Sequence, residues 1–149
     1  MEKEKCSIFV YPGGEKEQLE TIYKKNIVVL KERKGFVKLA MQQGASLVPV
    51  YAFGETGLYY HFQFAIGFRK WLAKRFGVAV PLLCGEYGLM PHRVPITMVF
   101  GQPIECKLNP NPTDDELNAM HGIYIEALKT LFNTHKKDLG YANDVLEII

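Results

Sequence analysis

The sequence lacks the features that mark several large classes of protein. No stretch approaches the roughly 18 consecutive apolar residues that a membrane-spanning helix requires. The opening residues, Met-Glu-Lys-Glu-Lys-Cys, are charged and have no apolar core of the kind found in signal peptides. Internal repeats and low-complexity segments are absent as well. The sequence therefore predicts a chain that spans no membrane, and it leaves contact with a membrane surface open.

Cysteine is scarce, and neither sign of charge dominates. Cys6, Cys84 and Cys106 are odd in number and widely spaced, which indicates neither a disulfide framework nor a zinc site and fits a reducing compartment. The 18 Lys and Arg against 16 Asp and Glu give a formal net charge of +2. A nearly neutral chain without a clustered basic face is not expected to bind nucleic acid. No metal site is predicted.

What the sequence does contain is short apolar strand patterns that alternate with helical ones. Its 149 residues are one domain's length, residues 1–149, and suffice for a hydrophobic core. The alternation predicts an α/β fold, a mixed sheet with flanking helices. Helices are predicted at 35–43, ending at Gly44, and from Thr113 to Gly140 with a Thr113–Glu116 capping box. Strands are predicted at 8–11, 27–30, 47–51, 96–100 and, more weakly, 78–83 and 104–108, with 144–149 as an apolar tail.

The most informative stretch is a strand that ends in a glycine corner. Ile8–Tyr11 is branched and aromatic, which favours a strand, and Pro12-Gly13-Gly14 stops it. A helix follows, predicted to run on to Lys25. Backbone N–H groups at such a corner can face a ligand oxygen. A second strand ends near Phe53, and strand ends gather at one edge of an open α/β sheet, so the two ends are predicted to meet at a site.

Six sequence blocks, in order over nearly the whole chain, resemble the diacylglycerol acyltransferase type 2 family, which includes monoacylglycerol and wax-alcohol acyltransferases. They are P-G-G-x-x-E at 12–17, R-K-G-F-x-x-x-A at 33–40, G-A-x-L-V-P-V-Y-x-F-G-E at 44–55, L-M-P-H-R-V-P-I at 89–96, V-F-G-Q-P-I at 99–104 and H-x-x-Y-x-x-A-L-x-x-L-F at 121–132. The resemblance implies a glycerolipid-acyltransferase-like fold, incomplete at its N-terminus. It also implies transfer of a fatty acyl group from acyl-CoA, a co-substrate rather than a bound cofactor, to a glyceride or long-chain alcohol. The implied location is the cytosolic face of the endoplasmic reticulum membrane.

The resembled family carries its catalytic histidine in a His-Pro-His-Gly block upstream of P-G-G-x-x-E, and this sequence has no such block. Its histidines are His61, His92, His121 and His135. Two hypotheses follow: the chain is the C-terminal portion of a longer enzyme, or it is an inactive remnant that binds lipid or a partner. A soluble α/β protein that binds phosphate at the glycine corner is a third hypothesis.

The resemblance also implies site residues. Glu17 is the candidate for a supporting catalytic role, in which it orients a histidine; the alternative is that it caps the corner. Arg33 either holds the polar head of acyl-CoA or an acceptor oxygen, or is a solvated charge. The predicted substrate-binding residues are Gly13, Gly14, Arg33, Gly35, Phe36, Phe53, Gly54 and Glu55. His92 and Arg93 either line the pocket or form a satisfied loop pair, whereas His121 and Tyr124 are predicted to face the core.

The segment Gly57–Gly77 is both aromatic and basic. Phe64, Phe68, Trp71 and Leu72 recur at helical spacing, which predicts one aromatic stripe on a helix. Arg69, Lys70, Lys74 and Arg75 flank that stripe. Such a helix is typical of a membrane interface, and the alternative is an amphipathic helix packed on its own domain.

Overall fold

This computed structural model describes residues 6–62, 64, 66–76, 82–88 and 90–149. Its longest helix in that part of the chain has 22 residues and contributes to the main core. The helices are α1 (Gly14–Glu20), α2 (Gly35–Gln43), α3 (Ile66–Phe76) and α4 (Asp114–His135). The strands are β1 (Asn26–Val28), β2 (Val50–Phe53), β3 (Tyr60–His61), β4 (Leu83–Cys84), β5 (Thr97–Phe100) and β6 (Leu146–Ile148). A single 3₁₀ turn, Glu55–Gly57, follows β2.

The strands form three two-stranded ladders within the described residues. β1 pairs in parallel with β6, while β2 pairs antiparallel with β5 and β3 with β4. Helices and strands of both directions confirm the predicted α/β class. The predicted mixed sheet takes the form of separate ladders.

The main core lies between the β2–β5 ladder and α4. The Phe53 and Phe132 rings stack at 5.2 Å between centroids, and Tyr51 meets Phe132 edge-on at 5.1 Å. Leu30 and Leu128 close the same cluster. A second cluster packs the buried face of α2, formed by Val37, Ala40 and Met41, against Cys106.

Local signals determine where two helices begin or end. The Thr113 hydroxyl accepts the Glu116 N–H at 3.3 Å, and the Glu116 carboxylate accepts the Thr113 N–H at 2.8 Å, so the predicted capping box is confirmed. Gly44 takes the left-handed conformation at φ 61° and donates to the carbonyls of α2, as predicted. The prediction that α4 reaches Gly140 is wrong, because the helix ends at His135 and a turn follows.

The predicted strand at Ile8–Tyr11 is wrong. These residues form no secondary structure, and all four apolar side chains are exposed. Strand-forming residues become a strand only where another strand accepts their backbone hydrogen bonds. The first helix is also shorter than predicted, since α1 stops at Glu20, with Thr21 in an extended conformation.

Two further expectations need correction at the other end of the chain. The predicted tail 144–149 contains strand β6, whose pairing with β1 joins residues more than a hundred positions apart. The predicted weak strand 104–108 is reduced to a single bridge between Leu47 and Ile104. The strands at 27–30, 47–51 and 96–100 are confirmed in shifted form as β1, β2 and β5. Most of the strand predicted at 78–83 lies outside the described residues.

Candidate functional site

The glycine corner closes around the carboxyl group of Glu17. Oε2 of Glu17 accepts the Val29 N–H at 2.9 Å, which ties α1 to the end of β1. A Cβ added to Gly13 would overlap the Glu17 carboxyl group, so this contact requires glycine at position 13. Gly14 starts α1 with a φ of 55°, in the left-handed region that favours glycine. The two glycines therefore set the position of one acidic side chain.

Glu17 and Glu55 lie close enough to interact electrostatically. Burial raises the pKa of the Glu17 carboxyl above its ordinary 4.5; the Val29 N–H partly opposes this rise, and the negative charge of Glu55 adds to it. The backbone also connects the two segments, because the Lys24 N–H donates to the Thr56 carbonyl at 3.1 Å. The site thus joins α1 to the turn after β2, instead of joining two strand ends as the sequence predicted.

Gly54 makes the turn after β2 possible. Its φ is 91°, and an added Cβ would overlap the Pro95 carbonyl and lie 3.2 Å from the Tyr141 hydroxyl. Phe53, one residue earlier, is buried in the core, whereas Glu55, one residue later, is exposed. The turn therefore separates a core ring from a solvent-facing carboxylate in two residues.

A network of polar side chains joins β2, β1 and the segment before β6, and no sequence pattern predicts it. The Tyr51 hydroxyl donates to Asn26 Oδ1 at 2.9 Å, and Asn26 Nδ2 donates to Asp144 at 2.8 Å. Burial, assisted by the nearby charges of Glu55, Asp144 and Glu17, raises the pKa of Tyr51 far above its usual range. Asn26 and Asp144 are 118 positions apart, so no local pattern signals their contact.

The remaining predicted site residues lie around α2. Arg33 is exposed two residues before that helix, and its backbone N–H donates to the Leu30 carbonyl at 2.9 Å. Gly35 is the exposed first residue of the helix. Phe36 packs edge-on against Tyr124 at 4.9 Å between ring centroids and belongs to the margin of the core. The structure thus brings Glu17 and Glu55 together with Gly13 and Gly54 beside them. It places Phe36 and Phe53 in the packing beneath.

The histidines fall into different environments. His121 is buried and donates from Nε2 to the Leu30 carbonyl at 3.1 Å, and burial lowers its pKa. The core placement predicted for His121 and Tyr124 is confirmed. His92 packs edge-on against Tyr60 at 4.8 Å, and its buried Nε2 has no hydrogen-bond partner among the described residues. Arg93 beside it is exposed.

Neither the two depressions described below nor any metal-ligand cluster among the described residues extends the site. Two open depressions of about 690 and 250 Å³ are lined by residues of β6 and its neighbours, and none of the predicted site residues lines either of them. Within the part of the chain that the structure describes, no group of three or more His, Cys, Asp or Glu could hold a metal ion.

Helix α3 presents aromatic rings to solvent. Phe68, Trp71 and Phe76 are each more than half exposed. Phe64 is exposed as well, but its predicted place on the helical stripe is wrong, because the helix begins at Ile66. The expected basic flank is smaller than the sequence suggested, because Arg69 is buried and donates to the Phe62 carbonyl at 2.8 Å. Lys70 pairs with Glu20 at 2.6 Å, which leaves Lys74 and Arg75 as the exposed cations beyond that pair. The Leu72 side chain and Gly77, also part of the prediction, lie outside the described portion.

No helix among the described residues combines the length and hydropathy that crossing a membrane requires.

Comparison with known proteins identifies the family to which the sequence is similar. The sequence matches the diacylglycerol acyltransferase family over residues 1–149. It is 39% identical to mouse diacylglycerol O-acyltransferase 2 over 155 residues, which cover 95% of this chain and 40% of that protein. It is 37% identical to human 2-acylglycerol O-acyltransferase 3, over 90% of this chain and 43% of that protein. The chain thus spans about 40% of the length of the curated relatives that it matches. No solved structure matches it significantly.

Proposed function

Because the chain belongs to the diacylglycerol acyltransferase family, we propose that it forms part of an O-acyltransferase that moves a fatty acyl group from acyl-CoA to a hydroxyl group of diacylglycerol or a related acceptor. The observation that carries this proposal is the family match over residues 1–149. The names of the relatives support an acylglycerol acceptor. Acyl-CoA is a co-substrate under this proposal, and no bound cofactor is needed.

The proposed reaction needs a base, and Glu17 acts beside that base. The base takes the proton of the acceptor hydroxyl as its oxygen attacks the thioester carbonyl carbon. The tetrahedral oxyanion then collapses, the carbon–sulfur bond breaks, and the CoA thiolate leaves and takes up a proton. Glu17 is suited to the supporting role because its carboxyl is fixed by the Val29 N–H. A carboxyl group held in this way can accept an imidazole N–H and orient the ring.

The base itself is assigned to a part of a family-length protein outside these 149 residues, since the sequence contains no His-Pro-His-Gly block. Gly13 and Gly54 belong to the proposed site because they permit the close intramolecular contacts that position Glu17 and the turn before Glu55. Arg33 is exposed at the start of α2 and supplies a cation for the phosphate groups of acyl-CoA. The proposed substrate-binding surface therefore extends from the glycine corner to α2.

Helix α3 is the proposed contact with a lipid surface. Its exposed Phe68 and Trp71 match the apolar side chains that an interfacial helix buries at the headgroup boundary, and Lys74 and Arg75 favour anionic lipid. Such contact would hold the site close to its water-insoluble acceptor. The membrane proposed is that of the endoplasmic reticulum, on its cytosolic side.

The test is a chimera of mouse diacylglycerol O-acyltransferase 2 in which this chain replaces the segment that it matches. Membranes that contain the chimera should form labelled triacylglycerol from oleoyl-CoA and diacylglycerol. Gly13→Ala should abolish most of this activity, because the new Cβ displaces Glu17. Gly122→Ala is the matched control, since a Cβ at that exposed helical position meets no atom within 4 Å.

A second candidate function is lipid or partner binding without catalysis, which the missing His-Pro-His-Gly block favours. A folded chimera that forms no product, although the parent enzyme is active in the same membranes, would refute the first candidate. Retention of the isolated chain on vesicles would then support the second. Equal activity of the Gly13→Ala and Gly122→Ala chimeras would remove Glu17 from the proposed site.

A further inference from the structure

One face of the β2–β5 ladder is apolar and largely exposed within the part of the chain that the structure describes. The antiparallel register places Val50 opposite Phe100 and Ala52 opposite Met98, so these four side chains share a face. Phe100 is 62% exposed and Met98 is 45% exposed. Ile96, two residues before Met98, is exposed as well. We refer to Val50, Ala52, Ile96, Met98 and Phe100 as the open face.

The opposite face of the same ladder carries the core of the molecule. Tyr51 and Phe53 alternate with the open-face residues of β2, and both rings pack on Phe132 of α4. Strands whose side chains are apolar on both faces belong to sheets that are covered on both faces. In α/β proteins the usual cover is a layer of helices on each face. Among the described residues, α4 covers one face of the ladder, and the apolar side chains of the other face are suited to a second layer of helix.

The chemistry of the open face fits a protein helix better than a lipid surface. Its five side chains are uncharged, and four of them are aliphatic or thioether groups. Helix α3, in contrast, combines exposed aromatic rings with Lys74 and Arg75, the pattern expected at a membrane interface. The two exposed apolar surfaces thus differ in the partner that they suit.

Two other observations indicate that protein is the missing layer. Ile8–Tyr11 has strand-forming composition and exposed side chains, and its backbone groups pair with no strand among the described residues. About 60% of the length of mouse diacylglycerol O-acyltransferase 2 lies outside the match, since the match takes in only 40% of that protein. A family-length protein therefore has ample chain from which to provide both a helix and a strand.

We propose that the open face is an interaction surface for an amphipathic helix, supplied by the part of a family-length acyltransferase outside these 149 residues. The inference rests on the proposed function only in assuming such a longer enzyme. The helix would bury Met98 and Phe100 and form the second layer over the β2–β5 ladder. Its apolar side chains would pack against the open face as α4 packs against the other face.

The experiment measures methionine oxidation by hydrogen peroxide, read by mass spectrometry, in the isolated chain and in the mouse chimera. Three methionines serve as probes in the same molecule. Met98 reports the open face, Met90 is 62% exposed on another loop, and Met41 is only 7% exposed in the core. The isolated chain is treated in the same detergent as the chimera, so any cover provided by detergent is common to both.

We expect Met98 to oxidise several-fold more slowly in the chimera than in the isolated chain, with Met90 unchanged and Met41 slow in both. Phe100→Glu should restore Met98 oxidation in the chimera, while Val145→Glu, an exposed change near β6, should not. Equal Met98 rates in chain and chimera would overturn the proposal. Faster oxidation of Met41 in the chimera would also count against it, because the chain's own α2 cluster would then be loosened in the longer protein.

Other occupants give different results. Protection of Met98 that rises with the concentration of the isolated chain would assign the open face to a second copy. Protection by phosphatidylcholine vesicles alone would assign it to lipid, and either outcome would replace the proposal. Because no readout depends on acyl transfer, an inactive chimera with a protected Met98 would sustain this inference while the proposed function fails.

Discussion

Aromatic side chains concentrate in two regions, the core around Phe132 and helix α3, and these regions handle them differently. In the core, Tyr51, Phe53 and Phe132 contact one another at centroid distances near 5 Å. On α3, Phe68 and Trp71 stack on each other at 5.8 Å and still face solvent. The first region stabilises the fold by burial, whereas the second leaves its apolar rings exposed to solvent. Aromatic content alone therefore does not identify a core.

Helix α1 connects the two regions. Its Glu20 pairs with Lys70 of α3, and its Glu17 holds the end of β1 through the Val29 N–H. The candidate site thus lies where the packed region meets the exposed one. The proposed function would use this position, with the packed core supporting the site and the lipid substrates arriving on the side of α3.

The largest expected effect is on the free energy of unfolding, when the same substitution, Phe to Ala, is made in each region. Phe132→Ala should lower the free energy of unfolding by roughly 3–5 kcal/mol, because it removes a fully buried ring (0% exposed) from a stacked cluster. Phe68→Ala removes the same atoms from a ring that is 61% exposed and should change stability little. Urea unfolding followed by circular dichroism measures both. Similar losses in the two variants would mean that α3 is packed in solution.

A smaller effect should appear in lipid binding. Here substitutions on α3, rather than in the core, are expected to matter most. Trp71→Ser should weaken binding of the chain to phosphatidylserine-containing vesicles by about tenfold or more, given roughly 1.5–3 kcal/mol for burial of a large apolar side chain. Vesicle flotation gives the measurement. The control is Phe100→Ser, a change of an exposed aromatic ring on the open face. An equal loss in both variants would assign lipid contact to the open face as well.

The smallest effect concerns the pH dependence of stability at the boundary between the regions. Burial raises the pKa of Glu17 above 4.5 in the folded chain, so the folded state holds this proton more tightly than the unfolded state does. The associated stabilisation is complete below pH 4.5 and is lost as pH rises through the raised pKa. Glu17→Gln should therefore be slightly more stable than the parent at neutral pH, and the difference should shrink on acidification.

Thermal unfolding between pH 4 and 8 measures this difference, with Glu15→Gln, an exposed carboxylate of the same helix, as the matched control. The same pH trend in both variants would show that the burial of Glu17 is not its cause.

Sequence reasoning succeeded where the signal was local. The Thr113–Glu116 capping box and the Gly44 cap act within one helical turn, and both are found as predicted. The segment Gly13–Glu17 was identified from its glycines and the family resemblance, and the structure supplies a physical reason for Gly13 in its contact with Glu17.

The misses share one physical cause, which is dependence on distant partners. Ile8–Tyr11 has the composition of a strand but pairs with no strand among the described residues. Leu146–Ile148 is a strand because its backbone groups form hydrogen bonds with β1. The sequence predicts Arg69 in the basic flank of the helix, whereas in the structure its guanidinium is buried and donates to the Phe62 carbonyl. The Tyr51–Asn26–Asp144 network was invisible for the same reason, since its members come from three separate segments.

The parallel β1–β6 ladder has a consequence for how the chain acquires its structure. Its hydrogen bonds, and the Asn26–Asp144 contact beside them, close a loop of more than a hundred residues. Closing so long a loop costs entropy before any contact compensates for it, so this ladder is expected to form late in folding. Until it does, Leu30 lacks the Ile149 carbonyl that accepts its N–H, and Tyr51 lacks its ordered Asn26. The Tyr51–Asn26–Asp144 network near Glu55 is therefore expected to be completed only when β6 pairs with β1.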